Sequence, residues 1–343
     1  MSSLIDTQTC IDMGFDHLAS LCDARGLFEH ALGPVRREQH GYCTDDNARL
    51  LLVAARDADE ARALVVGSLS LHFVRSAQQP DGSVRNRMNV AGVWTDRPVV
   101  EDCWGRAMWA LGFAGVHHSD PAIRAEALRG FNQGVQQRSA WPRAMAFAAL
   151  GAAEIVMTGN HHALARALLV DAVGVIGSDR SPEWPWPEPR LRYANASLAE
   201  AVIVSGAALH DSAVLDHGLE MLGWLLELET ASGKLSLTGV AGRGPGEVSP
   251  QFDQQAIEAA AMADACWRAH TVTGDDRWLA GVDAAEQWFH GRNDSQCVMY
   301  DDVSGGGYDG LERNGVNQNQ GAESTLALVS TMQRARLAAP ARI

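Results

Sequence analysis

Two adjacent carboxylates, Asp45 and Asp46, stand at the start of a strongly apolar stretch in the segment HGYCTDDNARLLLVAA. One aspartate is enough to cap a helix, and an acid in the first turn also favours the positive end of the helix dipole. Capping is therefore the commoner explanation for an isolated pair. This pair is not isolated, because polar, acidic or aromatic groups precede apolar, small-residue stretches elsewhere in the chain.

Six segments share a polar or aromatic start followed by small apolar residues at helical spacing. They read TDDNARLLLVAA from 44, EDCWGRAMWALG from 101, SAWPRAMAFAALG from 139, RYANASLAEAVIVSG from 192, FDQQAIEAAAMADA from 252 and NQGAESTLALVS from 319. More ordinary amphipathic helices are predicted between them, at about 8–24, 58–78, 120–136, 161–177, 211–230 and 276–290. Buried helices that alternate with amphipathic ones predict an all-α fold, an (α/α)6 toroid of six inner and six outer helices.

An open solenoid of helix pairs would show a similar periodicity. Its repeats usually begin alike, whereas these six units differ in the polar residues at one end, which indicates a single shared cavity. The chain has no Pro-, Gly- or Ser-rich linker between folded blocks. One (α/α)6-barrel domain over residues 1–343 is therefore the simpler organisation.

Composition limits the kind of partner. With 343 residues, of which 46% are hydrophobic, the chain can bury a large core. Its formal charge of -14 argues against a nucleic acid or an anionic membrane as partner. It has neither a secretory-signal pattern nor a long uninterrupted apolar run, so we expect a soluble, cytoplasmic protein. Its six cysteines form no C-x-x-C pair, and no metal site or cofactor is predicted.

If the inner helices begin at the same end of the ring, their first residues converge on one pocket. A glycosidic bond is cleaved by two carboxyl groups, one protonated and the other ionised, and acids that share a pocket acquire the shifted pKa values this requires. The candidate catalytic residues are Asp46, Asp102 and Glu323. Glu200 and Glu258 lie further inside their helices, which favours a structural role for them.

Sugars pack their C–H faces on aromatic rings and need dense hydrogen bonding for their hydroxyls. Aromatic and polar residues near the helix starts, and in the long glycine-rich stretch before residue 320, therefore predict a carbohydrate ligand. Within EWPWPEP, the two tryptophans could instead cover the core. The predicted substrate-binding residues are Asp45, Arg49, Glu101, Trp104, Arg106, Trp184, Trp186, Tyr193, Asn195, Asp253, Gln254, Tyr308, Asp309, Asn317 and Asn319.

The motifs HGYCTDDNAR, EDCWGRAMWALG, WPEPRLRYANASLAEA, FDQQAIEAA, WFHGRND and DGLERNGVNQNQGAEST occur together in this chain. In combination they resemble a bacterial family of (α/α)6-barrel proteins within the six-hairpin glycosidase-like group. Members are often encoded beside glycosyltransferases or fused to them. The resemblance runs over about residues 15–335 and implies the toroid, a carbohydrate ligand and a possible glycosyltransferase partner. It carries no catalytic assignment onto numbered positions.

The leading functional hypothesis is a glycoside hydrolase, with inversion as one expected outcome, acting on a small oligosaccharide or polysaccharide fragment. In it Asp46 is the acid, Asp102 the base and Glu323 a supporting group. An epimerase on the same toroid would resemble enzymes with paired pocket histidines, but only His40 lies near a predicted helix start.

Two further alternatives stay open. A sugar phosphorylase needs cations for phosphate, and Arg49, Arg106 and Arg143 recur just inside three inner helices, where they could equally pair with acids. A non-catalytic sugar-binding module of a glycosyltransferase system would need no carboxylates in the pocket. The chain has no strand followed by a glycine-rich phosphate loop, so it is not expected to use a nucleotide sugar alone.

Overall fold

The computed structural model describes residues 5–159, 162–177 and 181–339. Helices dominate this part of the chain, and short strands occur only in its connections. The α-helices are α1 Thr7–Ser20, α2 Thr44–Ala55, α3 Glu60–Ala77, α4 Asp102–His117, α5 Pro121–Gly134, α6 Pro142–Met157, α7 Ala163–Ile176, α8 Asn195–Leu209, α9 Ser212–Thr230, α10 Ala256–Thr273, α11 Leu279–Phe289 and α12 Ala322–Ala338. The strands are β1 Ala31–Leu32, β2 Val35–Arg36, β3 Tyr42–Cys43, β4 Arg87–Met88, β5 Gly310–Glu312 and β6 Gly315–Asn317.

The even-numbered helices form a closed inner ring. Each packs against the next even-numbered helix, and α12 packs against α2. The odd-numbered helices lie outside, and α1 completes the outer layer by packing against α12. The predicted all-α (α/α)6 toroid is therefore confirmed, and the open solenoid is excluded. The helix bounds agree with the predicted ones to within a few residues, although residue 161 of the predicted helix 161–177 lies outside the described residues.

Inner and outer helices differ in how their backbones begin. Four outer helices are capped by an aspartate side chain that accepts from first-turn N–H groups; these residues are Asp6, Asp59, Asp120 and Asp211. In contrast, the N-cap side chains of α4, α6, α8, α10 and α12 make no such bond. The chain thus uses aspartate caps on the outside of the ring, and the acids at the inner-helix starts serve another purpose.

Long connections gather at one end of the ring. Most connections that lead from an outer helix into an inner one are long, and connections of this kind carry all six strands. The returns from inner to outer helices span only a few residues. The β3–β4 pairing joins Cys43, just before α2, to Arg87 in the connection before α4. Loops and inner-helix N-termini therefore share one face, as the sequence predicts.

Glycines set the distance between α4 and α6. A Cβ atom built on Gly151 would lie 2.2 Å from the backbone oxygen of Met108, and one on Gly112 would lie 2.3 Å from the oxygen of Gly151. Backbone atoms cannot move aside as a flexible side chain can. Glycine at these positions lets the two inner helices approach closely enough to narrow the ring.

Gly151→Ala is expected to destabilise the protein by roughly 1–3 kcal/mol or more, because the added methyl overpacks a rigid backbone contact. The matched control is Gly174→Ala on the outer helix α7, where an added Cβ has no neighbour within 4 Å. That variant should gain about 0.5–1 kcal/mol from the higher helix propensity of alanine. Urea denaturation measures both, and equal effects would contradict the close-packing explanation.

No helix in the described residues has the length and apolar character needed to cross a lipid bilayer.

Candidate active site

A cavity of about 470 Å³ opens at the face where the inner helices begin. Its walls come from α2, α4, α10 and α12 and from the connections that precede inner helices. The polar side chains on these walls are Glu29, His30, Cys43, Asp45, Asp46, Arg49, Arg87, Asp102, Arg106, Tyr193, Asp253, Gln255, Asp309, Asn317, Glu323 and Ser324. The convergence predicted from the helix starts is present in this cavity.

A single guanidinium joins two of the acids. Arg49 Nη1 lies 2.5 Å from Asp46 Oδ1, and Arg49 Nη2 lies 2.7 Å from Glu323 Oε2. Asp46 is buried, whereas 43% of the Glu323 side chain is exposed. The first turn of α2 and the first turn of α12 are thereby linked, and one carboxyl lies deep in the wall while the other faces the cavity.

The surroundings shift the pKa values of these two carboxyl groups in opposite directions. Burial raises the pKa of Asp46 to about 6 against the opposing effect of Arg49, and the negative charges of Glu323 and Glu29 add to the rise. Burial also disfavours ionisation of Glu323, but Arg49 and Arg106 outweigh it and hold the pKa of Glu323 below its ordinary value. A carboxyl whose raised pKa favours its protonated form thus lies near one whose lowered pKa favours its ionised form.

Neither acid of the Asp45–Asp46 pair caps α2. The N-cap is Cys43, whose Sγ accepts from the Asp46 N–H at 3.4 Å. Asp45 accepts a 2.8 Å hydrogen bond from Asn86 Nδ2 and lies 3.3 Å from Arg106 Nε. The two side chains therefore serve the cavity wall, where each is matched with a different arginine.

Asp102 is held by a tyrosine from the neighbouring segment. The Tyr193 hydroxyl donates a 2.5 Å hydrogen bond to Asp102 Oδ2, and burial together with this bond raises the pKa of Tyr193. Arg143 holds this tyrosine in place. Its Nε donates to the Tyr193 carbonyl at 2.5 Å, and its guanidinium lies 4.6 Å from the centroid of the ring. Asp102 and Tyr193 thus form one polar unit between α4 and α8.

Tyr193→Phe is expected to lower kcat/KM by about 10- to 150-fold, because the loss of one hydrogen bond to a carboxylate is worth ~1.5–3 kcal/mol. The ring should keep its position, because Arg143 still contacts the backbone and ring face. Steady-state kinetics on any substrate that the protein turns over provide the measurement. An unchanged kcat/KM would show that Asp102 needs no donor.

Ten of the predicted site residues lie on the cavity wall. They are Asp45, Asp46, Arg49, Asp102, Arg106, Tyr193, Asp253, Asp309, Asn317 and Glu323. Their placement leaves the catalytic roles predicted for Asp46, Asp102 and Glu323 as predictions.

Three tryptophans predicted to bind the ligand do not lie on the cavity wall. Trp104 is fully buried, with its indole N–H directed at the Gly134 carbonyl. Trp186 stacks on Trp224 of α9 at 5.8 Å, and Trp184 meets the same ring edge-on at 4.9 Å. Trp104 and Trp186 are buried and Trp184 is half-buried against the core, so the two tryptophans of EWPWPEP cover the core.

Five polar predictions also fall outside the wall. Asn195 and Gln254 are buried: Asn195 Oδ1 accepts from the Arg192 N–H at 2.8 Å, and Gln254 Oε1 accepts from Trp288 Nε1 at 3.2 Å. Asn319 Oδ1 accepts from the Gly33 N–H, Tyr308 packs on a hydrophobic cluster, and Glu101 is exposed before α4. Local polarity near a helix start predicted these residues, but the side chains of Asn195, Gln254 and Asn319 bond to neighbouring segments of the protein.

The sequence analysis missed a group of residues on the cavity wall near Asp46. Glu29 and His30 come from the connection before α2, and Arg87, paired with Glu29, comes from the β4 strand. The His30 and His40 rings meet edge-on at 5.0 Å. These residues lie in loops, where helical periodicity gives no prediction. The only sequence signal for them was the neighbouring aromatic and charged residues in FEHALG.

A group of side chains on the cavity wall is a candidate metal site. In the described part of the chain, one group of three acidic or cysteine side chains has its potential ligand atoms within 4.8 Å of one another, namely Glu29, Cys43 and Asp46. Glu29 is already paired with Arg87 and Asp46 with Arg49. Burial raises the pKa of the Cys43 thiol well above its ordinary value, which keeps it protonated. These pairings make the group a poor match for a divalent cation, which needs deprotonated, uncompensated ligands.

Charged side chains close the far end of the ring. Arg56 Nη1 lies 2.9 Å from Asp264 Oδ1, and Arg334 Nε lies 2.5 Å from the same oxygen. Arg268 reaches Glu154 and Glu200 in the same layer. A small, largely apolar space of about 30 Å³ separates this network from Arg49 and Arg106. The cavity at the inner-helix starts is therefore closed off from the far end of the ring.

No family model and no curated protein sequence matches the chain. Solved structures do match its fold. A sugar epimerase from a ruminal bacterium is similar with a TM-score of 0.68 at 12% identity, over 96% of this chain and 97% of that one. A GH76 α-mannanase of Bacteroides thetaiotaomicron gives 0.66 at 12% identity, over 99% and 98%. The Cel9M cellulase of C. cellulolyticium, solved with cellobiose, gives 0.63 at 9% identity, over 97% and 98%. At these identities the likeness establishes the shared toroid.

Proposed function

We propose that the chain is a carbohydrate-active enzyme that hydrolyses a glycosidic bond in a small oligosaccharide or polysaccharide fragment. One observation carries this proposal: Asp46 and Glu323 share the Arg49 guanidinium while their surroundings shift their pKa values apart. Two carboxyl groups in different protonation states at one site are what acid and base roles require. The toroids of a mannanase and a cellulase support the substrate class.

In this mechanism Asp46 donates its proton to the glycosidic oxygen as the bond to the leaving sugar breaks. Glu323, ionised and partly exposed to the cavity, either activates a water molecule or attacks the sugar carbon. Asp102 binds substrate hydroxyls beside Tyr193. This assignment gives Glu323 the role that sequence analysis gave to Asp102, because Glu323 is the acid whose ionised form two arginines stabilise.

Epimerisation is the second candidate, and His30 favours it. A base that removes a proton from carbon beside a sugar carbonyl is commonly a histidine. His30 lies on the cavity wall with His40 against it, and the similar structures include a sugar epimerase. Phosphorolysis has less support, because Arg49, Arg106 and Arg143 each lie beside a carboxylate.

The test is incubation of the purified protein with defined gluco- and manno-oligosaccharides in D₂O buffer, with and without phosphate. Mass spectrometry and proton NMR then distinguish the reactions. A free sugar establishes hydrolysis, and the first anomer formed distinguishes inversion from retention. Deuterium at the carbon beside the reducing carbonyl establishes epimerisation, and a sugar phosphate establishes phosphorolysis. Binding without turnover would contradict the enzyme proposal and favour an accessory module of a glycosyltransferase system.

A further inference from the structure

Most aromatic side chains of this protein are buried or half-buried. The chain has ten tryptophans, four tyrosines and eight phenylalanines, and all of them lie within the described residues. Among these rings, Trp141 and Tyr193 are the most exposed to solvent, at 60% and 39%. Trp141 immediately precedes α6 and Tyr193 lies just before α8, so both stand at the cavity face on adjacent inner helices.

Trp141 is tied to both flanking walls of the cavity. Ser139 Oγ donates to the Val100 carbonyl at 2.7 Å and accepts from the Trp141 N–H at 3.2 Å, which joins this segment to the entry of α4. Arg143, the second residue of α6, binds the Tyr193 carbonyl and lies over its ring. The segment around Trp141 is therefore tied to the entry of α4 through Ser139 and to Tyr193 through Arg143.

α6 contributes no residue to the cavity wall, so Trp141 lies outside the reacting position. The open space continues past Tyr193 as well, because a second cavity of about 560 Å³ shares Tyr193, Val240 and Gln255 with the first. A single exposed apolar residue is ordinary on a protein surface. Here, however, the two exposed rings of the described chain both lie just before inner helices, at the end of the ring where the cavity opens. A flat apolar ring left in contact with water costs free energy.

We propose that Trp141 is an outer sugar-binding position, on which one residue of an oligosaccharide stacks while the reacting end lies in the cavity. This inference rests on the proposed function and specifies the preferred substrates as chains longer than a disaccharide. The indole face packs against the C–H face of a pyranose ring, and Tyr193 lies between the stacked sugar and the reacting one. Shorter substrates fill the cavity without reaching α6.

Tryptophan fluorescence tests the stacking directly. Acrylamide, a neutral quencher, should reach Trp141 far more readily than the buried indoles, and Trp141→Phe should remove that readily quenched component. Saturating tri- and tetrasaccharides of the gluco and manno series should protect Trp141 from acrylamide, whereas monosaccharides should not. Equal quenching with and without a tetrasaccharide that calorimetry shows to be bound would overturn the inference.

Kinetics provide the second test. Trp141→Ala should raise KM about 2- to 13-fold for tri- and tetrasaccharides, as expected for loss of an aromatic contact of ~0.5–1.5 kcal/mol. Its kcat and its constants for disaccharides should not change. Trp141→Phe should restore most of the loss. The control is Val65→Ala on the outer helix α3, where a side chain 70% exposed is shortened far from the cavity. A KM effect independent of chain length would overturn the outer position.

The two proposals fail separately. Length-dependent protection of Trp141 without any reaction leaves the outer position standing and contradicts hydrolysis. Hydrolysis with a neutral Trp141→Ala variant and no protection contradicts the outer position alone. If no sugar of either series binds or reacts, both proposals are wrong.

Discussion

Asp46→Asn is expected to lower kcat/KM by about 10²–10⁴-fold while the protein still folds, as loss of a general acid should. Asparagine matches the shape of aspartic acid but has no proton to donate to a leaving sugar. Arg49 keeps a partner in this variant, since Glu323 lies 2.7 Å from its other terminal nitrogen. Substrate turnover and a cooperative urea transition, measured on the same preparation, are the two readouts.

The matched control for Asp46→Asn is Asp120→Ala. Asp120 is a true cap, because its Oδ1 accepts from the N–H groups of Ala122 and Ile123 at the start of the outer helix α5. Its loss should cost about 0.5–2 kcal/mol of stability and leave kcat/KM unchanged. The pair of variants thereby separates a catalytic acid from a capping one. Unfolding of Asp46→Asn would make its carboxyl a structural group instead.

Glu323→Gln is the second large effect, with an expected loss of about 10²–10⁴-fold in kcat/KM. In the unmodified protein the reaction needs Asp46 protonated, so kcat/KM should fall as pH rises through about 6. The reaction also needs Glu323 ionised, so kcat/KM should also decrease on the acidic side, at pH values below the ordinary glutamate pKa. The result is a bell-shaped profile with its maximum between these limits.

The residual activity of Glu323→Gln should also show a shifted pH profile. The negative charge of Glu323 contributes to the raised pKa of Asp46. Removing that charge should lower the Asp46 pKa and move the alkaline limb of the profile to lower pH. Glu220→Gln, a change on the exposed side of α9, serves as the charge-matched control with an unchanged profile. An alkaline limb that stays in place would separate Asp46 from Glu323 and contradict the proposed pair.

Much of the fold follows from a repeated local pattern. Small apolar residues at helical spacing mark the inner helices, because each is surrounded by neighbours on every side; in α6, the residues from Arg143 to Val156 are all buried. Ring closure then brings separate helix starts together. This is why Asp46, Asp102 and Glu323, far apart in sequence, could be predicted to share a cavity.

The predictions that failed depended on information that local sequence lacks. Trp186 is next to prolines in a loop, which resembles a ligand-binding segment, but its partner is Trp224 on a helix that comes later. Conversely, Glu29 and Arg87 reach the cavity because β3 pairs with β4 across the connections before α2 and α4. No periodicity reports such a pairing, so the wall they form was not predicted.

The closed ring has a consequence for how the protein unfolds. A helical solenoid can lose a terminal repeat at the cost of one interface, which lets it fray from its ends. In this ring every inner helix has two inner neighbours, since α12 packs against α2. Detaching any hairpin therefore breaks two interfaces at once and exposes the apolar flanks of both neighbours. We expect hydrogen exchange in the inner helices to report one common opening free energy around the whole ring, without a weak end.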